Sequence, residues 1–216
     1  MDFNLKKELP TIAIIAIPFI YLAVIYGNLP ETIPLHWNIQ GEVDGYGNKS
    51  TLWIIPFLLP LLTYVLVTFL PAIDPENKFS QMGGKLHRFK FLITLAMSAL
   101  AVFIIYSAGN TTETSPNLVL VFIGMLYLIL GNYFQTIRPN YFIGIKTPWT
   151  LESDEVWKST HKMAGKLWML GGTAVILFCL LLPDEANFIV FLAITAVIVV
   201  VPLVFSYREY GRLKSN

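Results

Sequence analysis

The chain has 216 residues, 55% hydrophobic and only 13% charged, where a soluble globular domain carries about a quarter charged residues. That composition excludes a soluble globular domain and points to a chain whose solvent is largely the lipid bilayer. The net charge of +1 identifies no partner; the distribution of the charges is what carries information.

A membrane-spanning helix needs roughly 20 consecutive apolar residues. Six stretches meet or approach that length: 9–27, 51–72, 91–108, 117–134, 167–183 and 186–206, none with Asp, Glu, Lys, Arg or His in its interior. The first follows Lys6 and Lys7 but is too long for the apolar region of a signal peptide. Tyr26-Gly27-Asn28-Leu29 also offers no small-residue cleavage site, so it reads as a retained span. Prolines 18, 56, 60 and 202 fall inside spans, where each removes a backbone hydrogen bond and kinks the helix for packing. The connector between the fourth and fifth spans is broken by Pro139, Gly144 and Pro148, which makes Asn140 to Trp149 an irregular apolar segment at the membrane surface. After it, Ser153 caps a helix that opens with Asp154 and Glu155. Val156, Thr160, Met163 and Leu167 share one face, so this helix is expected to run unbroken into the fifth span.

The charges set the orientation. Fourteen of the fifteen Lys and Arg residues fall in the amino end, the second and fourth connectors and the tail, and Lys49 alone falls in the first connector. Glu31, Glu42, Asp44, Glu113, Asp184 and Glu185 lie in the opposite set of loops. Positive charge stays cytoplasmic in short loops, which puts both termini inside and requires an even number of spans. The expected fold is all-α: one membrane domain over residues 1–216, an up-and-down bundle of six transmembrane helices with sequential neighbours packed together. Cys179 is the only cysteine and reads as a small apolar filler within the fifth span.

Two loop segments are too rich in chemistry to be plain connectors. Outside, residues 29–50 join a rigid start at Pro30 and Pro34 to His36, Trp37, Asn38, Glu42, Asp44 and Tyr46, with turn glycines at 41, 45 and 47. Trp37 alone is an interface anchor, and Gly45-Tyr46-Gly47 alone is a tight turn. Their density suits a cup for a cationic or amphipathic peptide, with scaffolding as the plainer alternative. Inside, residues 131–168 hold Arg138, Asn140, Trp149, Thr150, Trp157 and His161. They form either a surface for a cytoplasmic partner or an internal tie between the loop and the helix ends.

Several other readings fail on spacing. The LPETI run has Ile where a sortase substrate has Gly, and the residues before Gly45-Tyr46-Gly47 are not those of a potassium filter. The acids near Gly41 lack the alternation of a calcium loop. His87 and His161 with Asp154 or Glu155 offer no paired-ligand motif, and zinc wants three or four converging ligands, so no metal is expected. Nothing in the sequence calls for a cofactor or nucleic acid. No nucleophile motif or phosphate loop exists, and no span carries the ionisable group that ion-coupled transport keeps for function. Catalysis therefore finds little support in these residues, and a binding role suits them better than an enzymatic one.

The order Arg138, Pro139, Asn140, Gly144, Pro148, Trp149, Thr150, Trp157, His161 resembles the SdpI family of bacterial membrane immunity proteins. Residues 29–50 resemble the short domain that often precedes that motif. The resemblance implies a multi-pass protein of the bacterial cytoplasmic membrane that protects its producer from a secreted, membrane-active peptide toxin. It also implies a signalling role, in which a cytoplasmic transcriptional repressor is held at the membrane. The partners expected are thus a peptide toxin outside, a repressor inside and membrane lipid. The rivals are a membrane enzyme acting on lipid or peptide through Arg138, Asn140, Thr150 and His161, and a permease that exports the peptide.

Overall fold

A computed structural model of the chain describes residues 4–38, 42–74, 82–110 and 118–214. Gly41, Lys78 and Glu113 lie outside the described residues. Helix α1 (Leu5–Ile25) starts at Asn4, whose side chain accepts from the Lys7 N–H, and a 3-10 turn extends it to Asn28. Strands β1 (Thr32–Trp37) and β2 (Val43–Asn48) follow as an antiparallel hairpin. The second span is composite: a 3-10 turn over Lys49–Trp53, α2 (Ile54–Pro56), a π turn over Phe57–Leu61 and α3 (Leu62–Ile73). Pro56 and Pro60 supply no N–H to the helical ladder, and the π turn is where the helix absorbs the lost bonds. The remaining elements are α4 (Gly84–Gly109), α5 (Leu118–Phe134), α6 (Pro148–Glu152), α7 (Asp154–Leu181) and α8 (Asp184–Lys214).

Five of these stretches are long and apolar enough to cross a membrane, and α5 is a shorter apolar helix of 17 residues. Large apolar side chains such as Ile20, Val24, Leu170 and Leu181 stand exposed along the helices. That is the surface of a protein whose outer solvent is hydrocarbon. The all-α bundle is as expected, with the hairpin as its one β element among the described residues.

Packing between apolar helices in lipid cannot rest on the hydrophobic effect, and small residues that let backbones approach take its place. Helices α5 and α7 show this directly. A Cβ added at Gly131 would lie 2.9 Å from the Gly165 carbonyl oxygen, and one at Gly165 would lie 2.7 Å from that of Gly131. Gly124 and Gly172 form the same reciprocal pair, at 3.0 and 2.6 Å. Because the lower-numbered glycine of α5 faces the higher-numbered one of α7, the two helices are antiparallel. The seven-residue spacing on each keeps both pairs on one seam.

Helix α8 is fixed differently. Pro202 has no N–H to give the Ile198 carbonyl four residues back, and the Trp168 indole N–H of α7 donates to that carbonyl at 2.8 Å instead. At the far end of α7, the Asn187 amide donates to the Leu182 carbonyl at 3.0 Å, closing the turn into α8.

Helix α1 departs from sequential packing: it lies mainly against α4, the third apolar stretch. Both helices also begin earlier than their apolar runs, at Leu5 and Gly84, and so draw charge into the bundle. Glu8 is buried and takes the Lys90 ammonium at 2.6 Å and the Tyr64 hydroxyl at 3.1 Å. Lys90 also sits over the Tyr64 ring, 5.0 Å from its centroid. Glu8 and Lys90 each lie one residue outside an apolar run, so the runs themselves carry no sign of this buried ion pair.

Candidate functional site

The chemistry-bearing residues lie in two groups at opposite ends of the bundle. At one end is the hairpin, over the carboxy end of α1, the start of the second span and the carboxy end of α4. An isolated two-stranded hairpin is marginal in water, and this one is anchored by Ile33. Its side chain is fully buried among Leu22, Leu29, Leu52, Ile105 and Ala108. Lys49 adds a second anchor. Its ammonium donates to the Leu29 carbonyl at 3.2 Å, pairs with Glu31 at 3.0 Å and lies over the Tyr26 ring.

The structure corrects the reading of the glycines here. Gly45 and Gly47 do not make a turn with positive φ; among the described residues only Gly83 and Gly144 adopt that conformation. Both lie within β2, opposite β1, where a Cβ on Gly45 would come within 2.9 Å of the His36 Cβ and one on Gly47 would overlap Leu35. Small residues are required by cross-strand crowding at a bulged register, which breaks on both sides of His36.

Of the six residues singled out in this segment, four bond to one another. His36 and Asp44 meet across the strands at 2.5 Å. Asn38 and Glu42 close the tip, with the Asn38 amide donating to the Glu42 carboxylate at 3.0 Å and the Glu42 N–H returning to the Asn38 carbonyl oxygen at 2.9 Å. Tyr46 is exposed, and Trp37 is half-buried. Trp37, Leu35, Ile54, Ile104 and Ala108 line an apolar cleft of about 220 Å³ between the hairpin and the helix ends. The hairpin therefore offers carboxylates on its face and an apolar cleft beneath.

The second group lies between α5 and α7, which are clamped by their glycines. Asn140 is the knot of this loop. Its amide donates to the carbonyls of Arg138 and Ile143 at 2.8 and 3.0 Å, and its oxygen accepts from Phe142 and Ile143 at 2.8 and 2.7 Å. All four bonding positions of the side chain are thus committed to backbone. Thr147 and Thr150 form a reciprocal capping box around Pro148 at the first position of α6. The Thr150 hydroxyl also donates to the Ile145 carbonyl at 2.8 Å. This short helix was not foreseen, although Thr-Pro-x-Thr carries its cap and its first-turn proline.

His161 accepts from the Ile145 N–H at its Nε2, 3.0 Å away, while Nδ1 lies 2.8 Å from the Trp157 carbonyl. The first bond requires a bare Nε2, so the ring is neutral with its proton on Nδ1. It stacks on Trp157 with centroids 3.9 Å apart, and both side chains are 1% exposed. The Trp157 indole N–H donates to the Ile137 carbonyl at 2.9 Å. Gly144, at φ +119°, passes against this stack, where a Cβ would lie 2.5 Å from the His161 Nε2. Ser153 accepts from Val156 and starts α7, which runs to Leu181 as expected.

Trp149 lies on the outside of the loop. Its indole N–H donates to the Ser206 hydroxyl of α8 at 2.7 Å, its ring meets Tyr207, and Tyr210 bonds Glu152 close by. Arg138 is exposed, as is Lys146, whose ammonium caps the carbonyls of Tyr141 and Phe142. The six residues singled out are thus brought together around one loop, but four of them face inward. Asp154 and Glu155 stay exposed at the start of α7, and among the described residues no three His, Cys, Asp or Glu side chains converge.

Long apolar helices, lipid-facing side chains and a glycine-seamed pair define a multi-pass helical membrane protein. Residues 136–206 match the SdpI/YfhL protein family, and residues 13–59 match a domain of unknown function, DUF1648. These matches bear out the resemblance drawn from the loop motifs, and the SdpI/YfhL match runs from just after α5 into α8. It is 26% identical over 215 residues to the "Immunity protein SdpI" of Bacillus subtilis (strain 168), covering 98% of this chain and all of that protein. It is also 23% identical over 142 residues to an uncharacterized protein of Archaeoglobus fulgidus, covering 56% of this chain and 78% of that one. No solved structure matches the chain.

Proposed function

We propose that this chain is an immunity protein of the bacterial cytoplasmic membrane, protecting its producer from a secreted, membrane-active peptide. The observation that carries this reading is the end-to-end similarity to an immunity protein, 98% of one chain against all of the other. The charge split supports a six-crossing topology with both termini and the 131–168 segment inside and the hairpin outside.

In this reading the hairpin is the receptor surface. Glu31, Glu42 and Asp44 attract a cationic peptide, and the cleft beside Trp37 takes an apolar side chain from it. The inner motif is a structural clamp. Asn140, Thr150, Trp157 and His161 have their polar atoms committed to the loop's own backbone, which leaves none of them free to act on a lipid or peptide substrate. Capture of a cytoplasmic transcriptional repressor would fall to the exposed rim, Arg138 and Lys146 with the outer edge of Trp149.

Expression of the full chain in a cell sensitive to the peptide against which the Bacillus subtilis relative gives immunity tests the proposal. The expected result is survival that requires membrane insertion. Killing of cells that carry the inserted protein at normal levels would overturn it for that peptide class.

A further inference from the structure

A cleft of about 650 Å³ opens between α1, α4 and α5 at the end opposite the hairpin. Its lining changes character along the helix axis. Lys7 in the first turn of α1 and Arg88 near the start of α4 make a cationic rim, with His87 beside them. Pro10, Phe91 and Leu92, three or four residues further along α1 and α4, make an apolar floor, with Tyr133 from the end of α5 beside them. Two helices begin at this rim, α1 at Leu5 and α4 at Gly84, and the positive ends of their dipoles add to its potential.

The Glu8 carboxylate, next to Lys7 in the chain, is not part of the lining of this cleft. Glu8 is turned into the bundle and held by Lys90 and Tyr64, with the His87 Nδ1 3.6 Å away. Lys7 and Arg88 are exposed, and among the described residues neither makes an ion pair. Basic side chains over an apolar slot, at the depth where helices enter the bilayer, match one kind of molecule: phosphate above, hydrocarbon below.

We propose that this cleft binds the headgroup of an anionic phospholipid, with the phosphate between Lys7, His87 and Arg88 and an acyl chain laid along Phe91, Leu92 and Tyr133. The Arg88 guanidinium presents a planar fork to the phosphate oxygens, and Lys7 acts as a point charge. A lipid so held bridges α1, α4 and α5. The assignment is independent of what the hairpin binds.

Native mass spectrometry of the detergent-purified full chain, titrated with phosphatidylglycerol or with phosphatidylcholine of the same acyl chains, tests it. One phosphatidylglycerol should be retained with at least about tenfold preference. Lys7→Gln with Arg88→Gln should weaken it by roughly ten- to thirty-fold, following the effect of removing two basic groups near a membrane surface. Lys158→Gln with Lys162→Gln, which removes equal charge from exposed positions on α7, should leave it unchanged. Equal retention of phosphatidylcholine by the unaltered chain would overturn the proposal without any variant. So would equal loss in the α7 control, an unaffected Lys7/Arg88 variant, or displacement of the lipid by millimolar inorganic phosphate.

Discussion

Asn140 and His161 are polar residues that hold an irregular backbone together where lipid and protein leave few other partners. Removing Asn140 strands two N–H groups and two carbonyls, and each buried group left unpaired costs about 1–3 kcal/mol. Asn140→Ala should therefore lower the melting temperature in detergent markedly, whereas Lys162→Ala, at an exposed position on α7, should stay within about 0.5 kcal/mol. Equal effects at the two sites would contradict the structural reading of the loop. Glu8 and Lys90 make the second residue-scale case. Leaving either charge alone in the bundle costs about 3–5 kcal/mol, while replacing both with apolar groups of similar volume is often neutral. Glu8→Leu and Lys90→Leu should each destabilise strongly and the double variant should recover most of the loss, a coupling that a double-mutant cycle measures directly. The sequence suggested the loop residues as a set, because Pro, Gly, Trp and His cluster there. It could not tell which pointed inward, since an asparagine that knots a loop and one that binds a partner look alike until the backbone is traced.

At the scale of elements, α5 and α7 are held by the contact of Gly131 with Gly165 and of Gly124 with Gly172. A leucine at Gly131 would force the helices apart along the seam and carry the 131–168 loop with it. Gly131→Leu should abolish a cooperative melt, while Gly211→Leu, where a Cβ meets nothing, should leave it unchanged. The spans, the start of α7 at Ser153 and its continuity were legible because periodicity and capping are local. The glycine seam was present as a seven-residue spacing on two segments, but it meant nothing until those segments were known to face each other. The hairpin was read as a loop because proline and glycine dominate it. In the fold, Pro34 stands in β1 and the glycines relieve crowding against His36 and Leu35. The proposed receptor role also belongs to this element. Glu42→Gln with Asp44→Asn should weaken binding of a cationic peptide and flatten its salt dependence, as read by titration at two ionic strengths.

For the molecule as a whole, the fold places the hairpin and the 131–168 loop at opposite ends of one bundle, and the charge split proposes which end faces the cytoplasm. Reporters fused after Asn48 and Asp184 should report outside, and those after Ser153 and Asn216 inside; a reversal at one of them would remove the six-crossing topology. The proposed function divides the work along that separation: the hairpin meets the toxin, while the inward-facing residues of the inner loop keep the bundle closed. The direct measurement is survival of peptide-challenged cells carrying Trp37→Ala/Glu42→Gln/Asp44→Asn or Trp157→Ala, with the melting temperature of each purified protein beside it. The hairpin variant should lose protection with its melting temperature nearly unchanged, and Trp157→Ala should lose both together. Full protection by the hairpin variant, or loss of protection by Trp157→Ala at unchanged stability, would contradict this division of roles.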